Sequence, residues 1–367
     1  MTGRIFLLTA ALVVLAAGAG TARAEMSRSL LRSPEALAMG GAYTAIVEDR
    51  DAAFYNPAGV AAYDHLSVHY VNVDPTVSNW VVSGWKTLQD LKTVNGSTVN
   101  RFMGQNVFVQ GTASTAVLAP GFALIGLYDV QGALYAKNQA FPKIEYGYQT
   151  TSGVQAAWGF SVKDGRMRGK GKHNDDFLNE WRFGIGAKYL ARQGGYRLLS
   201  ATELLQLNQN TDASTFIGGK GSGYGGDLGV QRIQRLTPTT SAYFGASYLN
   251  IGDVTFGNGA DPIRGDFSIG TGLKFKQGLA NVTVAYDIQQ LNNSSSFGKK
   301  QNFGAKLGLP LLDIYAGLHQ GFLTYGAAID VWILRVAATV YREENGAYPK
   351  QDPEDRLAVR VDFKMDL

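Results

Sequence analysis

Apolar and charged residues alternate along the last eleven positions of the chain. Every odd position from Leu357 to Leu367 is apolar, and four of the five even positions between them carry a charge. Because successive side chains of a β-strand point to opposite faces, this pattern predicts a strand with one apolar and one ionic face. Four charges on one face favour a polar or water-filled interior over a dry core. A strand of a soluble β-sandwich would also alternate, so this segment by itself leaves both structures open.

The same alternation returns in four earlier segments of about ten residues, the length that a tilted strand needs to cross the hydrocarbon layer. The repetition predicts an all-β fold, a transmembrane antiparallel β-barrel of about 14 strands. Counts of 12 and 16 stay open, because bacterial single-chain barrels have even strand numbers. The apolar faces of these segments run over Val154–Val162, Trp181–Tyr189, Phe267–Phe275 and Val282–Ile288.

The composition favours the same fold. The 367 residues include 45 glycines, 18 tyrosines and 18 phenylalanines, and 17% of the chain is charged. An average protein has about 7% glycine. The chain has no cysteine, which excludes disulfides, thiol catalysis and a lipid-modified amino terminus. A membrane β-barrel fits these values better than a soluble enzyme does.

The first 24 residues have the pattern of an export signal. Arg4 precedes an apolar run from Ile5 to Ala17, and Ala22-Arg23-Ala24 supplies a small-x-small cleavage site. An uncleaved membrane anchor is the alternative, but the run is short for a bilayer span. Cleavage removes two arginines and lowers the formal net charge from +4 to +2. This near balance argues against nucleic acid as a partner. The sequence thus predicts export to the outer membrane of a Gram-negative cell.

Two segments interrupt the alternation and read as short helices in loops. They begin at Trp85 and at Ser200, and Ser200 with Glu203 matches a capping box. The GSGYGG stretch at residues 221–226 formally matches a dinucleotide-binding motif. That motif needs a helix after it, and the residues that follow alternate like a strand, so we interpret the stretch as a flexible loop.

No metal site or catalytic site is predicted. His65 and His69 share strand parity, but four residues of extended strand separate them by roughly 13 Å, too far for one metal ion. They are interpreted as polar lumen or rim residues. The chain has no GxSxG, HExxH or P-loop sequence. We therefore expect no enzyme activity, no cofactor and no metal.

A basic cluster lies in the glycine-containing stretch from residue 163 to 173. The simplest interpretation is a solvated hairpin loop. The sharper hypothesis is contact with the phosphates of lipopolysaccharide, if the loop is extracellular. The residues concerned are Lys163, Arg166, Arg168, Lys170 and Lys172.

A stretch of small residues precedes the first predicted strand. It contains a Gly40-Gly41-Ala42 step and ends in Asn56-Pro57-Ala58-Gly59. This pattern, from residue 36 to residue 61, resembles the amino-terminal region of the FadL/TodX superfamily of outer-membrane transport proteins. The carboxyl third, from Phe303 to Gly346, is similar to the PorV-like and conjugation-associated TraF-like branch of that superfamily.

The resemblance implies a fourteen-stranded barrel with a hatch in its lumen. It divides the chain into a signal peptide (1–24), a hatch (25–62) and a barrel (63–367), with Asn56, Pro57, Ala58 and Gly59 at the hatch turn. The charged residues at positions 48–51 are expected to meet the ionic inner face. The alternative is an ordinary surface turn ahead of the first strand.

The resemblance implies two candidate functions for a barrel expected to be monomeric. Transport members of the superfamily pass small hydrophobic molecules, fatty acids or aromatic hydrocarbons, passively through the outer membrane. PorV-like members instead bind exported proteins as accessories of secretion. A soluble periplasmic β-protein is the third and least favoured interpretation.

Overall fold

The computed structural model describes residues 30–84, 104–137, 143–164, 179–199, 219–346 and 348–367. These residues form fourteen β-strands and a few short helices. The helices are α1 (Pro34–Ala38), α2 (Ala52–Tyr55), a 3-10 helix (Pro57–Ala62), α3 (Asn79–Ser83) and α4 (Phe297–Lys300). The strands are β1 (Ser67–Ser78), β2 (Asn106–Ala119), β3 (Phe122–Lys137), β4 (Lys143–Asp164), β5 (Asn179–Leu199), β6 (Lys220–Thr237), β7 (Thr240–Leu249), β8 (Asp266–Gln277), β9 (Ala280–Ile288), β10 (Gln301–Gly308), β11 (Leu312–His319), β12 (Phe322–Val331), β13 (Leu334–Glu344) and β14 (Pro353–Asp366).

The fourteen strands close into one antiparallel barrel, which confirms the predicted fold class. Each strand pairs with the strands before and after it, and β1 pairs with β14 through Ser67 opposite Asp366. The register of β1 shifts on both sides near Tyr70, where a β-bulge interrupts the ladder. Closure leaves no strand at an edge, which is what a sheet in hydrocarbon requires.

The two faces of the strands follow the sequence pattern. On β14 the even positions from Glu354 to Asp362 are buried inside the barrel, and odd positions such as Phe363 are exposed outside. The four earlier segments show the same alternation, with Val154 and Trp158 outward and Gln155 and Ala157 inward on β4. The ionic side of the alternation is therefore the inner face.

Large exposed apolar residues surround the barrel on its outer face. They include Val73, Val117, Leu124, Trp158, Ile185, Leu228, Phe244, Ile269, Val282, Phe303, Ile314, Ile329, Val336 and Phe363, and they come from all fourteen strands. Soluble monomers do not expose a continuous apolar surface of this extent. A lipid-facing band about 25 Å tall is the feature that transmembrane barrels share.

The two ends of the barrel differ in the length of their connections. At the end where β1 begins and β14 ends, five of the six connections are tight turns, at residues 120–121, 238–239, 278–279, 309–311 and 332–333, and the sixth spans residues 165–178. Longer connections, such as residues 250–265 and 289–300, lie at the opposite end, where residues 320–321 are the one two-residue turn between described strands. No helix in the described part of the chain is long and apolar enough to cross a bilayer.

The predicted loop at residues 221–226 is wrong, and the two predicted helices lie outside the described residues. The GSGYGG stretch is not a loop, because residues 221–226 form the first half of β6 and pair with β5. Glycine lowers strand propensity, but a paired neighbour and a packed inner face override it here. The predicted helices that begin at Trp85 and Ser200 lie outside the described residues.

A charge on the outer face tests the lipid contact of the band. Ile185 points outward from β5 and is 53% exposed. We expect Ile185→Lys to lower the free energy of unfolding by as much as about 2–4 kcal/mol, because a lysine on the lipid face is costly and the cost is largest at the bilayer midplane. Urea unfolding of the barrel in phospholipid vesicles measures this loss. Ile185→Val is the control and should change little; equal stability of the lysine variant would show that this face is in water.

Candidate functional site

Residues 30–62, here called the N-terminal segment, are enclosed by the barrel. Helix α1 contacts β11, β12, β13 and β14, whereas the 3-10 helix contacts β3, β4, β5 and β6 on the other side. The apolar side chains of the segment are buried, among them Leu31, Met39, Val47 and Val60. The segment thus packs against the inner faces of strands on opposite sides of the barrel.

Glycines allow the backbone of the segment to approach the wall. Gly40 and Gly41 have φ values of +65° and +90°, which side-chain-bearing residues rarely adopt. A Cβ at Gly40 would lie 2.5 Å from the carbonyl oxygens of Leu318 and Phe303. On the wall, a Cβ at Gly304 would lie 2.3 Å from the Met39 carbonyl oxygen. Ala42 is fully buried. The Gly-Gly-Ala step therefore lies directly on β10 and β11.

The Asn-Pro-Ala-Gly turn packs against β5 and β6. The Asn56 side chain accepts a hydrogen bond from the Ala58 N–H (3.1 Å) and donates to the carbonyl oxygens of Thr44 (2.9 Å) and Val230 (3.2 Å). Pro57 begins the 3-10 helix, where its missing N–H costs no hydrogen bond. A Cβ at Gly59 would lie 2.3 Å from the Val47 carbonyl oxygen. The amide of Asn56 links the turn to the wall.

Inward side chains of the strands satisfy the backbone of the segment, which has no sheet partner of its own. The Asp287 carboxylate accepts from the N–H groups of Tyr43 (2.8 Å) and Thr44 (2.7 Å). The Thr324 and Thr339 hydroxyls donate to carbonyl oxygens of α1, at Ala38 (2.9 Å) and Pro34 (2.7 Å). A buried backbone group without a partner would cost a full desolvation penalty, so these side chains fix where the segment lies.

Arg360 on β14 forms ion pairs with three carboxylates inside the barrel. Its guanidinium lies 2.7 Å from Asp51, 2.8 Å from Asp74 and 3.1 Å from Glu35, and all four side chains are nearly inaccessible to solvent. Asp51 and Glu35 belong to the segment and Asp74 to β1. Arg335 on β13 contacts Glu35 from another side at 3.0 Å. An unpaired buried charge is far more costly than a paired one. Arg360 and its three carboxylate partners therefore depend on one another.

The charged residues at positions 48–51 each have a partner, and three of these four residues have their partners on the wall. Glu48 pairs with Arg182 (2.7 Å) and with Lys274. Arg50 donates to the Ser114 hydroxyl (2.7 Å). Asp51 reaches Arg360 as described above.

Asp49 differs from its neighbours because its carboxylate accepts from the Tyr43 hydroxyl, within the segment. Burial and the negative charge of Asp51 raise the pKa of Asp49 to about 6. Burial also opposes ionisation of Asp51, but the Arg360 guanidinium outweighs it and lowers the pKa of Asp51 to about 2. Asp49 is therefore the acid of this cluster that changes charge near neutral pH.

The connection between β7 and β8, residues 250–265, also folds inward. Val254 and Ile263 exchange two backbone hydrogen bonds (2.8 and 3.0 Å), and Val254, Phe256 and Ile263 are buried. Arg192 on β5 donates to the Asp261 carbonyl oxygen (3.0 Å), and its guanidinium stacks over the Phe256 ring at 4.7 Å. This connection fills the inside of the barrel beside β5 and β6.

The glycines of the GSGYGG stretch form the surface that receives this connection. A Cβ at Gly221, Gly223 or Gly225 would lie 1.5, 2.3 or 2.6 Å from atoms of Phe256, Thr255 or Val254. The sequence pattern alone did not predict this contact. The feature of the sequence that indicates it is glycine at every second position, 221, 223 and 225, all on the inward face of the strand. Glycine at such positions indicates close approach of another backbone.

The histidines and the basic cluster do not form a common site. The His65 side chain is 47% exposed and lies 2.8 Å from Asp64, whereas the buried His69 lies 2.7 Å from Asp362. Among the residues that the structure describes, no three potential ligands could hold a metal ion. Of the basic cluster, Lys163 lies on β4 opposite Glu180, at the end of the barrel with the tight turns. Arg166, Arg168, Lys170 and Lys172 lie outside the described residues.

Several solved structures are similar to this chain. A TodX monoaromatic hydrocarbon channel (deltaS2 mutant) has 13% identity and a TM-score of 0.46, covering 92% of this chain and 99% of its own. The CymD monoaromatic hydrocarbon channel has 12% identity and a TM-score of 0.46, with 91% and 97% covered. The Ralstonia pickettii toluene transporter TbuX has 11% identity and a TM-score of 0.43, with 92% and 98% covered.

No protein-family model and no curated protein matches the chain. The closed barrel of fourteen strands is the fold that the resemblance implied.

Loss of Arg360 tests how firmly the segment is held. We expect Arg360→Gln to lower the free energy of unfolding by about 3–5 kcal/mol, because Asp51, Asp74 and Glu35 lose their shared cation. Urea unfolding of the purified barrel measures this loss. Arg342→Gln is the matched control: its half-exposed pair with Asp355 should contribute less than about 1 kcal/mol. Equal effects of the two substitutions would contradict the central role of Arg360.

The raised pKa of Asp49 predicts a pH dependence of stability. A carboxyl whose pKa is higher in the folded than in the unfolded protein favours folding at low pH and loses that contribution as the pH rises through about 6. We therefore expect Asp49→Asn, which can still accept from Tyr43, to be more stable than the wild type at pH 8. The difference in unfolding free energy should shrink below pH 6. A difference that stays constant from pH 5 to pH 8 would exclude this titration.

Proposed function

We propose that this chain is an outer-membrane barrel that passes small hydrophobic molecules passively, with residues 25–62 acting as its hatch. The observation that carries the proposal is a closed barrel with an apolar outer band and an interior filled by its own N-terminal segment. Such a barrel can hold a pathway shut against water and ions while still offering contacts to an apolar cargo. Residues 1–24 would serve as the export signal.

Fatty acids or aromatic hydrocarbons are the proposed cargo. Transfer of an apolar molecule from water stabilises the bound state by about 25 cal/mol per Å² of buried apolar surface, so binding needs no energy source. Lipopolysaccharide prevents such molecules from entering the outer membrane directly. A protein pathway therefore serves this class of molecule in particular.

The ion pairs of the segment limit how the hatch can move. Removing the whole segment would separate Arg360 from Asp51 and Arg182 from Glu48. A buried charge that loses its partner in this way costs about 3–5 kcal/mol. We infer that the segment stays in the barrel and that passage proceeds by a local shift beside it. Residues 250–265, which fold inward at the opposite end from the tight turns, are the second element that would have to move.

The orientation follows from the lengths of the connections. Barrels of the bacterial outer membrane have short turns on the periplasmic side and longer loops outside. The end of β4 would then face the periplasm, as would both the start of β1 and the end of β14. The lipopolysaccharide contact of Lys163 and its neighbours required an extracellular loop, so in this orientation we do not propose it.

A PorV-like function, binding an exported protein, is the second candidate. The observation that favours it is the complete pairing of all fourteen strands around a filled interior. A barrel that never opens would still present its loops and turns to a partner. Both candidates are non-enzymatic and both use a single-chain barrel.

Uptake measurements separate the two candidates. Cells with the intact gene, without it, and with the gene restored are given a labelled long-chain fatty acid or a labelled aromatic hydrocarbon. Transport predicts that uptake falls on deletion and returns on restoration. Unchanged uptake of both probes, together with loss of a particular exported protein from the medium and its co-purification with the barrel, would overturn transport in favour of the PorV-like function.

A further inference from the structure

Arg232 is a charged residue on the apolar outer face of the barrel. It lies on β6 with the same parity as Leu228 and Leu236, which are 52% and 47% exposed, whereas the opposite-parity Gln231 and Ile233 are buried inside. The outward positions next to Arg232 along the strand are Val230 and Gln234, and the exposed leucines lie beyond them. A charge on the lipid face of a barrel is costly unless it has a specific partner.

Arg232 lies between two aromatic residues of the neighbouring strands. Trp181 on β5 and Phe244 on β7 lie directly opposite Arg232 in the two ladders. The guanidinium carbon stands 4.8 Å from the centroid of the Trp181 ring. Trp181 stacks on Phe183, and Phe183 stacks on Phe160, with centroids 6.2 and 5.5 Å apart. The arginine therefore lies against a row of stacked aromatic rings that continues into the apolar band.

Within the described residues Arg232 has no carboxylate partner. Its Nε is buried and makes no hydrogen bond. The contrast is with Arg342 on the outer face of β13, whose charge is neutralised by Asp355 at 2.6 Å. A guanidinium that is stacked on a tryptophan ring and has no acid beside it is suited to a phosphate at the membrane interface.

The position along the strand selects which lipid is available. Arg232 lies five residues before the end of β6 at Thr237, near the tight turn to β7. With the tight turns toward the periplasm, this depth corresponds to the headgroups of the periplasmic leaflet, which consists of phospholipid. We propose that Arg232 and Trp181 form a binding site for an anionic phospholipid, with Arg232 on the phosphate and Trp181, Phe183 and Phe160 along the acyl chains.

This site depends on the membrane location in the proposed function but not on transport. An unpaired cation prefers a lipid with net negative charge to a zwitterionic one. One arginine near an anionic surface strengthens binding by about fivefold. The site would fix the depth and rotation of this side of the barrel in the membrane.

Native mass spectrometry of the barrel from mixed phosphatidylglycerol and phosphatidylcholine vesicles tests the proposal. We expect the wild type to retain phosphatidylglycerol in preference to phosphatidylcholine, and Arg232→Gln to lower the retained phosphatidylglycerol about fivefold. Arg232→Lys keeps the charge but loses the planar stacking group, so it should fall between the two. Arg342→Gln removes the same charge from the same outer surface and should retain as much phosphatidylglycerol as the wild type.

A second readout uses the tryptophan itself. The emission of Trp181 is the part of the fluorescence that is lost in Trp181→Phe. Spin-labelled phosphatidylglycerol should quench this emission more strongly than spin-labelled phosphatidylcholine does. Arg232→Gln should abolish this preference. The heat-dependent gel shift of a folded barrel is checked for every variant. If Arg232→Gln does not fold, Arg232→Lys and Trp181→Phe carry the test.

The outcomes distinguish this site from the proposed function. Equal retention of phosphatidylglycerol by the wild type, Arg232→Gln and Arg232→Lys would overturn the lipid site and leave transport untouched. Equal retention of both lipids by the wild type would overturn the anionic preference and with it the proposal. Failure of the wild type to insert into vesicles would contradict the membrane location on which both rest.

Discussion

Every β-strand in a hydrocarbon layer needs a hydrogen-bonded strand on each side, and the rest of this structure depends on that requirement. An open sheet would expose N–H and C=O groups where no water can reach them. Pairing of β1 with β14 removes the last two edges. Closure then creates an interior, and the interior determines what the remaining residues do. Charges on the inner face need partners, and the enclosed space needs a filling.

The N-terminal segment meets both needs at once. It brings Glu35 and Asp51 to Arg360, Glu48 to Arg182, and small residues to the glycines of the wall. The wall in turn supplies Asp287, Thr324 and Thr339 to a backbone that has no sheet partner. Segment and wall therefore complete each other. This reciprocity underlies the proposal that the segment shifts locally and is not released.

Glycine has a different role on each surface. On the segment, Gly40 and Gly41 adopt positive φ and reverse the chain against β10 and β11. On β6, the glycines at 221, 223 and 225 leave a bare strip of backbone on which residues 250–265 lie. The outer face is covered mainly by large apolar side chains, and Arg232 is a charged residue among them.

The sequence by itself determined the strands, their two faces and the barrel class, because a period of two is a local property that each strand carries whatever it pairs with. The identification of a turn at Asn56-Pro57 was also local. The partners of Arg360 were not, since Asp51 lies 309 positions away and the choice among carboxylates depends on register around the whole barrel. Likewise, the GSGYGG stretch reads as flexible in isolation and becomes a strand only when β5 pairs with it and residues 250–265 cover it. Tertiary structure decided these contacts because they join residues that no short window of sequence contains.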